Sequence, residues 1–153
     1  MKKLLVMTFV VLQFSTVAVF PQRSITRVEF GKLSDYVNDY PNRRNGQRLL
    51  VSDVPVVEKV TYEKPYKMYV FKPDPNGDVG NMFFTSAAIA KSLRQNVNSR
   101  AVLMTVTCVL VEFAGEQDVY RSPFATKIEG INMDGEIVWT VTGPPPSKLK
   151  MQQ

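Results

Sequence analysis

The run from Ala101 to Phe113 is the longest apolar stretch of the chain beyond its first twenty residues, and it restricts the fold more than any other feature. Written as an extended strand, it places Leu103, Val109, Val111 and Phe113 on one side. Val102, Met104, Val106, Cys108 and Leu110 lie on the other. A strand that is apolar on both faces belongs inside a sheet that is covered above and below. The remaining segments therefore have to supply neighbouring strands and the layers that cover them.

Several segments read as those neighbours. Ile25 to Phe30 is a short strand, with Val28 and Phe30 alternating against Arg27 and Glu29. Leu49 to Tyr62 is rich in β-branched residues and predicts one long strand, bent or bulged where Pro55 interrupts it. Tyr66 to Lys72 alternates Tyr66, Met68 and Val70 with Lys67, Tyr69 and Phe71, and the turn cluster Pro73 to Asp78 follows. Met82 to Phe84 is a short apolar run. Phe124 to Ile131 and Glu136 to Thr142 form the last two strands, with Pro123 breaking the chain before them. Asp134-Gly135 marks their connection as a hairpin. Ile137, Trp139 and Val141 are expected on one buried face, so Trp139→Ala is expected to unfold the domain.

Two helices are expected. Leu33, Tyr36, Val37 and Tyr40 fall at i, i+3, i+4 and i+7, and Pro41 stops that helix. Ala87 to Gln95 is the stronger one, with Thr85 or Ser86 as its cap and Ile89 and Leu93 on its buried stripe. Gly143-Pro144-Pro145-Pro146 ends regular structure, and the polar residues after it are expected to fray. The organisation is a signal peptide over 1–20 and a strand with a short helix over 21–45. A β-rich core domain over 46–143 and a disordered tail over 144–153 complete it.

Between Gly46 and Ile131 the order of elements resembles the OB-fold. Gln47 to Tyr62 stands as its first strand, Tyr66 to Lys72 as the second and Met82 to Phe84 as the third. The helix Ala87 to Gln95 follows, then Ala101 to Phe113 and Ala125 to Ile131. The resemblance lies in this order and implies a small antiparallel barrel with one helix between strands 3 and 4. It also implies that strands 2 and 3 carry a binding face. The alternative is an α+β meander. Both are mainly β.

The N-terminus reads as an export signal: the basic head Met1-Lys2-Lys3, apolar residues from Leu4 to Leu12 interrupted only by Thr8, then Ser15-Thr16-Val17-Ala18. Thr16 and Ala18 occupy the −3 and −1 positions of a cleavage site. Gln13, Ser15, Thr16 and Pro21 dilute the run that a retained anchor would need. No cysteine stands near the leader's end for lipid attachment. A periplasmic or secreted location is expected, with membrane contact only through an uncleaved leader. The single cysteine, Cys108, precludes an intramolecular disulfide, and its apolar neighbours predict a buried, inert thiol.

The chain has no histidine, which removes serine–histidine and cysteine–histidine nucleophile systems and the commonest metal ligand. Glu112, Glu116 and Asp118 cluster around one turn, and Asp74 and Asp78 flank another; both read as solvated loop acids. Asp74, Asn76 and Asp78 match only the opening of a calcium loop, because Thr85 stands where its distal glutamate belongs. Neither a metal nor a cofactor is expected. The net charge is +5, two of it from Lys2 and Lys3, and the basic stretch Arg43 to Arg48 reads as a solvated loop.

Aromatic and basic residues interleave between Lys59 and Lys72, a pattern that supports stacking and charge contacts. Tyr62, Tyr66, Lys67 and Tyr69 are the candidate ligand-binding residues, with Arg121 in the segment Tyr120 to Phe124 as a rim; core packing with a solvated face is the competing reading. The expected function is an exported, non-catalytic binding or interaction module of the cell envelope. Its partner would be a protein or an envelope polymer rather than nucleic acid. The alternatives are a subunit of an envelope or secretion assembly and a carboxylate-dependent hydrolase.

Overall fold

A computed structural model describes residues 24–39, 45–57, 59–74, 81–96, 99–114, 119–148 and 150–152. The signal peptide expected over residues 1–20 lies outside the described residues. The strands are β1 (Thr26–Glu29), β2 (Arg48–Pro55), β3 (Val60–Glu63), β4 (Met68–Phe71), β5 (Phe83–Thr85), β6 (Leu103–Ala114), β7 (Val119–Ile131), β8 (Ile137–Thr142) and β9 (Lys150–Gln152). Helix α1 (Leu33–Asn38) follows β1 through a 3₁₀ turn, and α2 (Ala87–Asn96) follows β5. The chain is mainly β, with these strands in one mixed sheet of order β1-β2-β6-β7-β5-β4-β3. β8 is added to β7 and β9 to β6.

β6 lies inside the sheet, between β2 and β7. Met104, Val106, Cys108 and Leu110 are buried in a first core beneath α1 and α2. Val111 and Phe113 are buried in a second cluster with Val70, Phe84 and Phe124 on the opposite face. The expected alternation holds here, except that Leu103 is exposed at the strand's start and Val102, just before it, is exposed too. Val28, Phe30, Leu33 and Val37 bury into the first core, as do Ile89, Ala90 and Leu93 of α2. Ser86 caps α2, its Oγ accepting from the Ile89 N–H at 3.4 Å.

The sheet curls without closing. β2 and β3 are five strand spacings apart in the order, about 24 Å if the sheet were flat. The five residue steps from Pro55 to Val60 reach only about 17 Å. The ends must therefore bend toward each other, and Phe30 beside β1 does stack on Phe83 of β5 with 6.4 Å between centroids. No hydrogen-bonded ladder joins β3 to β1 or β2 among the described residues. The closed antiparallel barrel is thus corrected to an open mixed sheet, in which β1–β2, β5–β7 and β6–β9 pair in parallel.

The single long strand over Leu49 to Tyr62 is corrected too. Asp53 adopts φ +58° at a register shift between Val51 and Val54, and Pro55 has no N–H with which to extend the ladder. Pro123, by contrast, does not break the chain; it sits within β7 opposite Leu110. The Leu110 N–H and carbonyl are both turned to the other side, bonding the Gln47 carbonyl at 2.9 Å and the Gly46 N–H at 2.8 Å. Leu110 and Pro123 therefore form a pair without hydrogen bonds, where a missing N–H costs nothing. The tail expected to fray carries β9, paired in parallel with Glu112 to Ala114 of β6.

The β7–β8 hairpin forms where Asp134-Gly135 predicts it, with Gly135 at φ +81°. Asn132 Oδ1 organises the loop, accepting from the N–H groups of Asp134 at 3.0 Å and Glu136 at 2.9 Å. A register shift between Gly130 and Ile131 then turns Ile137 away from Trp139. Ile137 is 57% exposed, whereas Trp139 and Val141 pack on the first core.

Candidate binding groove

The β3–β4 hairpin carries most of the residues singled out from the sequence. Its loop, Lys64 to Lys67, closes with the Lys67 N–H donating to the Lys64 carbonyl at 3.2 Å. Lys67 takes φ +53°, a left-handed turn position that leaves its side chain exposed. Tyr62 and Tyr69 are cross-strand partners, and their rings meet edge to face at 5.1 Å. The Arg94 guanidinium from α2 lies 5.4 Å from the Tyr69 ring centroid and donates to the Val60 carbonyl at 3.0 Å. Arg94 thereby ties the hairpin to the helix and satisfies a carbonyl on the outermost strand.

Tyr66 projects to the other side of the sheet. Its ring packs edge-on against Phe84 at 5.5 Å and Phe113 at 5.0 Å. Its hydroxyl accepts a hydrogen bond from Tyr120 at 2.6 Å, and the Tyr120 ring stacks on Phe113 at 5.4 Å. Tyr66 thus stands between two open hollows. One is a groove of about 600 Å³ that brings together Tyr62, Tyr66, Lys67 and Tyr69, and whose lining includes Phe124 and the Pro144–Pro146 segment. The other is a cleft of about 660 Å³ that includes Glu63, Lys72, Met82 and Tyr120. A third hollow of about 640 Å³, between β1 and α1, is lined by mixed charges, of which Glu29 and Lys32 pair at 3.0 Å.

Arg121 is not part of this groove. Adjacent strand residues point to opposite faces, so Arg121 turns away from Tyr120 toward Glu112, its cross-strand partner. Arg121 Nη2 lies 3.8 Å from Glu112 Oε2, and the side chains are only 10% and 17% exposed. Asn45 bridges the pair, donating to Glu112 Oε2 at 3.3 Å and accepting from Arg121 Nε at 3.3 Å. The role supported is structural. Arg121→Met should destabilise the fold by about 2–3 kcal/mol by stranding a partly buried carboxylate. In urea titrations, adding Glu112→Gln should recover part of that loss.

Burial raises the Tyr120 phenol well above its ordinary range, and the hydrogen bond to Tyr66 adds to the effect. The folded state therefore holds this proton more tightly than the unfolded chain. The associated stability is fully present below about pH 10, the ordinary tyrosine value, and is lost as pH rises beyond it. Urea midpoints from pH 8 to 11 should fall more gently for Tyr120→Phe than for the unaltered chain. Cys108 is fully buried, and burial likewise pushes its thiol far up, as suits an unreactive packing residue.

Among the described residues the other acids give no assembled site. Glu112 is engaged with Arg121. Glu116, Asp118, Asn76 and Asp78 lie outside the described residues, as do Arg43 and Arg44 of the basic stretch.

Sequence periodicity does not point to Phe124 or the three prolines as groove residues, nor to Arg94 as the brace of Tyr69, since each reaches this place from a distant part of the chain. Tyr120 had a local signal, its place in the expected rim segment, but its bond to Tyr66 had none. Searches against protein-family models and against curated proteins find no match.

Proposed function

We propose that this chain is a non-catalytic binding module that holds an elongated ligand across the tyrosine groove of the β3–β4 hairpin. One observation carries the reading: Tyr62, Tyr66, Lys67 and Tyr69 line a single open hollow. Tyr62 is 49% exposed, which leaves much of its ring open to a ligand. Arg94 holds the neighbouring Tyr69, so little ordering is left for the ligand to impose. Export to a periplasm or beyond is part of the proposal and rests on the leader's pattern of charge and hydropathy.

The test is retention of native envelope components on the immobilised full chain, compared with Tyr62→Ala. Species held by the unaltered chain should be lost from the variant. Equal retention by both would remove the groove from consideration.

A second reading, an assembly subunit, is favoured by exposed apolar residues at the far end of β6 and β8. Exposed Leu103 and Ile137 flank the half-buried Ile131 as its cross-strand partners there, and Met133 is 88% exposed on the adjoining loop. Retention abolished by Ile137→Lys with Met133→Lys, and indifferent to Tyr62→Ala, would select it.

A further inference from the structure

We propose that the ligand of the tyrosine groove is a proline-rich peptide in the polyproline II conformation; this rests on the groove reading above. The chemistry of the lining selects it. The polar side chains in the groove all carry donors: the hydroxyls of Tyr62, Tyr66, Tyr69, Ser86 and Ser147, the ammonium of Lys67, and the hydroxyl of Thr85, which is already spent on the Ala125 carbonyl. Neither a carboxylate nor a side-chain amide is among the described lining residues. A polyproline II segment is the complementary partner, because its carbonyls are all free to accept and its prolines have no N–H to offer.

The apolar part of the lining agrees. Tyrosine rings give flat faces on which pyrrolidine rings pack, and aromatic-lined grooves are the usual receptors of proline-rich segments. The chain already brings such a segment to this place. Pro144-Pro145-Pro146 contributes to the groove, and each proline fixes φ while pushing the residue before it into an extended conformation. These residues therefore hold a polyproline II course by their own covalent constraints. The surface beside the tyrosines accommodates that geometry in cis, and the open volume next to it is what a second such strand would enter. Binding a stiff peptide also costs less ordering than binding a flexible one.

The probe is fluorescein-labelled decaproline, titrated against the full chain and read by fluorescence anisotropy. A Gly-Ser decapeptide and chitohexaose, by calorimetry, serve as controls. Decaproline should bind and the controls should not. Tyr62→Ala should weaken binding by about tenfold or more, whereas Arg121→Lys, outside the groove lining and engaged with Glu112, should leave it unchanged. Lys67→Glu, at an exposed turn position that the fold does not depend on, should weaken it as well. Absence of decaproline binding, or binding indifferent to Tyr62→Ala and Lys67→Glu, overturns the proposal. Chitohexaose binding that is lost in Tyr62→Ala, without decaproline binding, also overturns it but leaves the groove reading standing. Failure of the groove reading itself appears separately, as envelope retention unchanged by Tyr62→Ala.

Discussion

Gly130→Ala is expected to cost about 3–4 kcal/mol, an effect out of proportion to one added methyl group. Gly130 of β7 is paired with Trp139 of β8, and the indole lies directly across the glycine. A Cβ built on Gly130 falls 2.1 Å from Trp139 Cε2 and 2.4 Å from Nε1. No rotation of the methyl relieves that overlap, so the indole has to leave. It would give up its packing on the first core and the hydrogen bond from Nε1 to Ser99 Oγ, 2.6 Å long. Overpacking costs roughly 1–3 kcal/mol, and a lost hydrogen bond about 1 kcal/mol more. Gly31→Ala is the control, because a Cβ there meets nothing within 4 Å. Thermal melts should show a drop on the order of 10 °C for Gly130→Ala and almost none for Gly31→Ala. Gly130→Ala combined with Trp139→Val should cost less than the two changes added together. Equal melting of the two alanine variants would show that the indole does not rest on Gly130.

This contact also marks where local pattern stops being informative. Trp139 was legible as a core residue because it alternates with Val141, and it does pack on the first core. Ile137 was not, since one extra residue opposite the Gly130–Ile131 step reverses the side on which it emerges. The same limit explains Leu49 to Tyr62. Its β-branched composition is real, and β2 and β3 both form, but after the bulge at Asp53 and the stop at Pro55 its two halves lie five strand positions apart, β3 at one edge and β2 next to β1 at the other. β6 was legible because both its faces are apolar, which demands an interior place whatever its neighbours. Its actual neighbours depend on long-range pairing, some of it parallel, that no periodicity encodes. Within the candidate site, Tyr62, Tyr66, Lys67 and Tyr69 were found together because one hairpin carries them. Arg121 was assigned to them by nearness in sequence to Tyr120, but strand alternation turns it away from Tyr120, and its pairing with Glu112 and Asn45 keeps it out of the groove lining.

Phe113→Ala is expected to cost about 4–5 kcal/mol and to damage the groove while the chain remains folded. Phe113 is fully buried at the centre of the second cluster. Its ring stacks on Phe84 at 4.3 Å and on Tyr120 at 5.4 Å, and receives the Tyr66 edge at 5.0 Å. Truncating a buried phenylalanine costs roughly 3–5 kcal/mol; losing three ring contacts places this one near the top of that range. The functional consequence follows from Tyr66. Of the contacts that orient it, Phe113 supplies one directly and supports a second, because the Tyr120 ring whose hydroxyl bonds Tyr66 is itself stacked on Phe113. Phe113→Leu separates packing from positioning: it keeps most of the apolar volume but has no aromatic face. It should lose less stability than Phe113→Ala in urea and yet weaken retention at the groove, with Tyr62 and Lys67 untouched. Retention by Phe113→Leu equal to that of the unaltered chain would mean that Tyr66 serves the second cluster alone. The ligand surface would then reduce to the outer part of the hairpin, Tyr62, Lys67 and Tyr69.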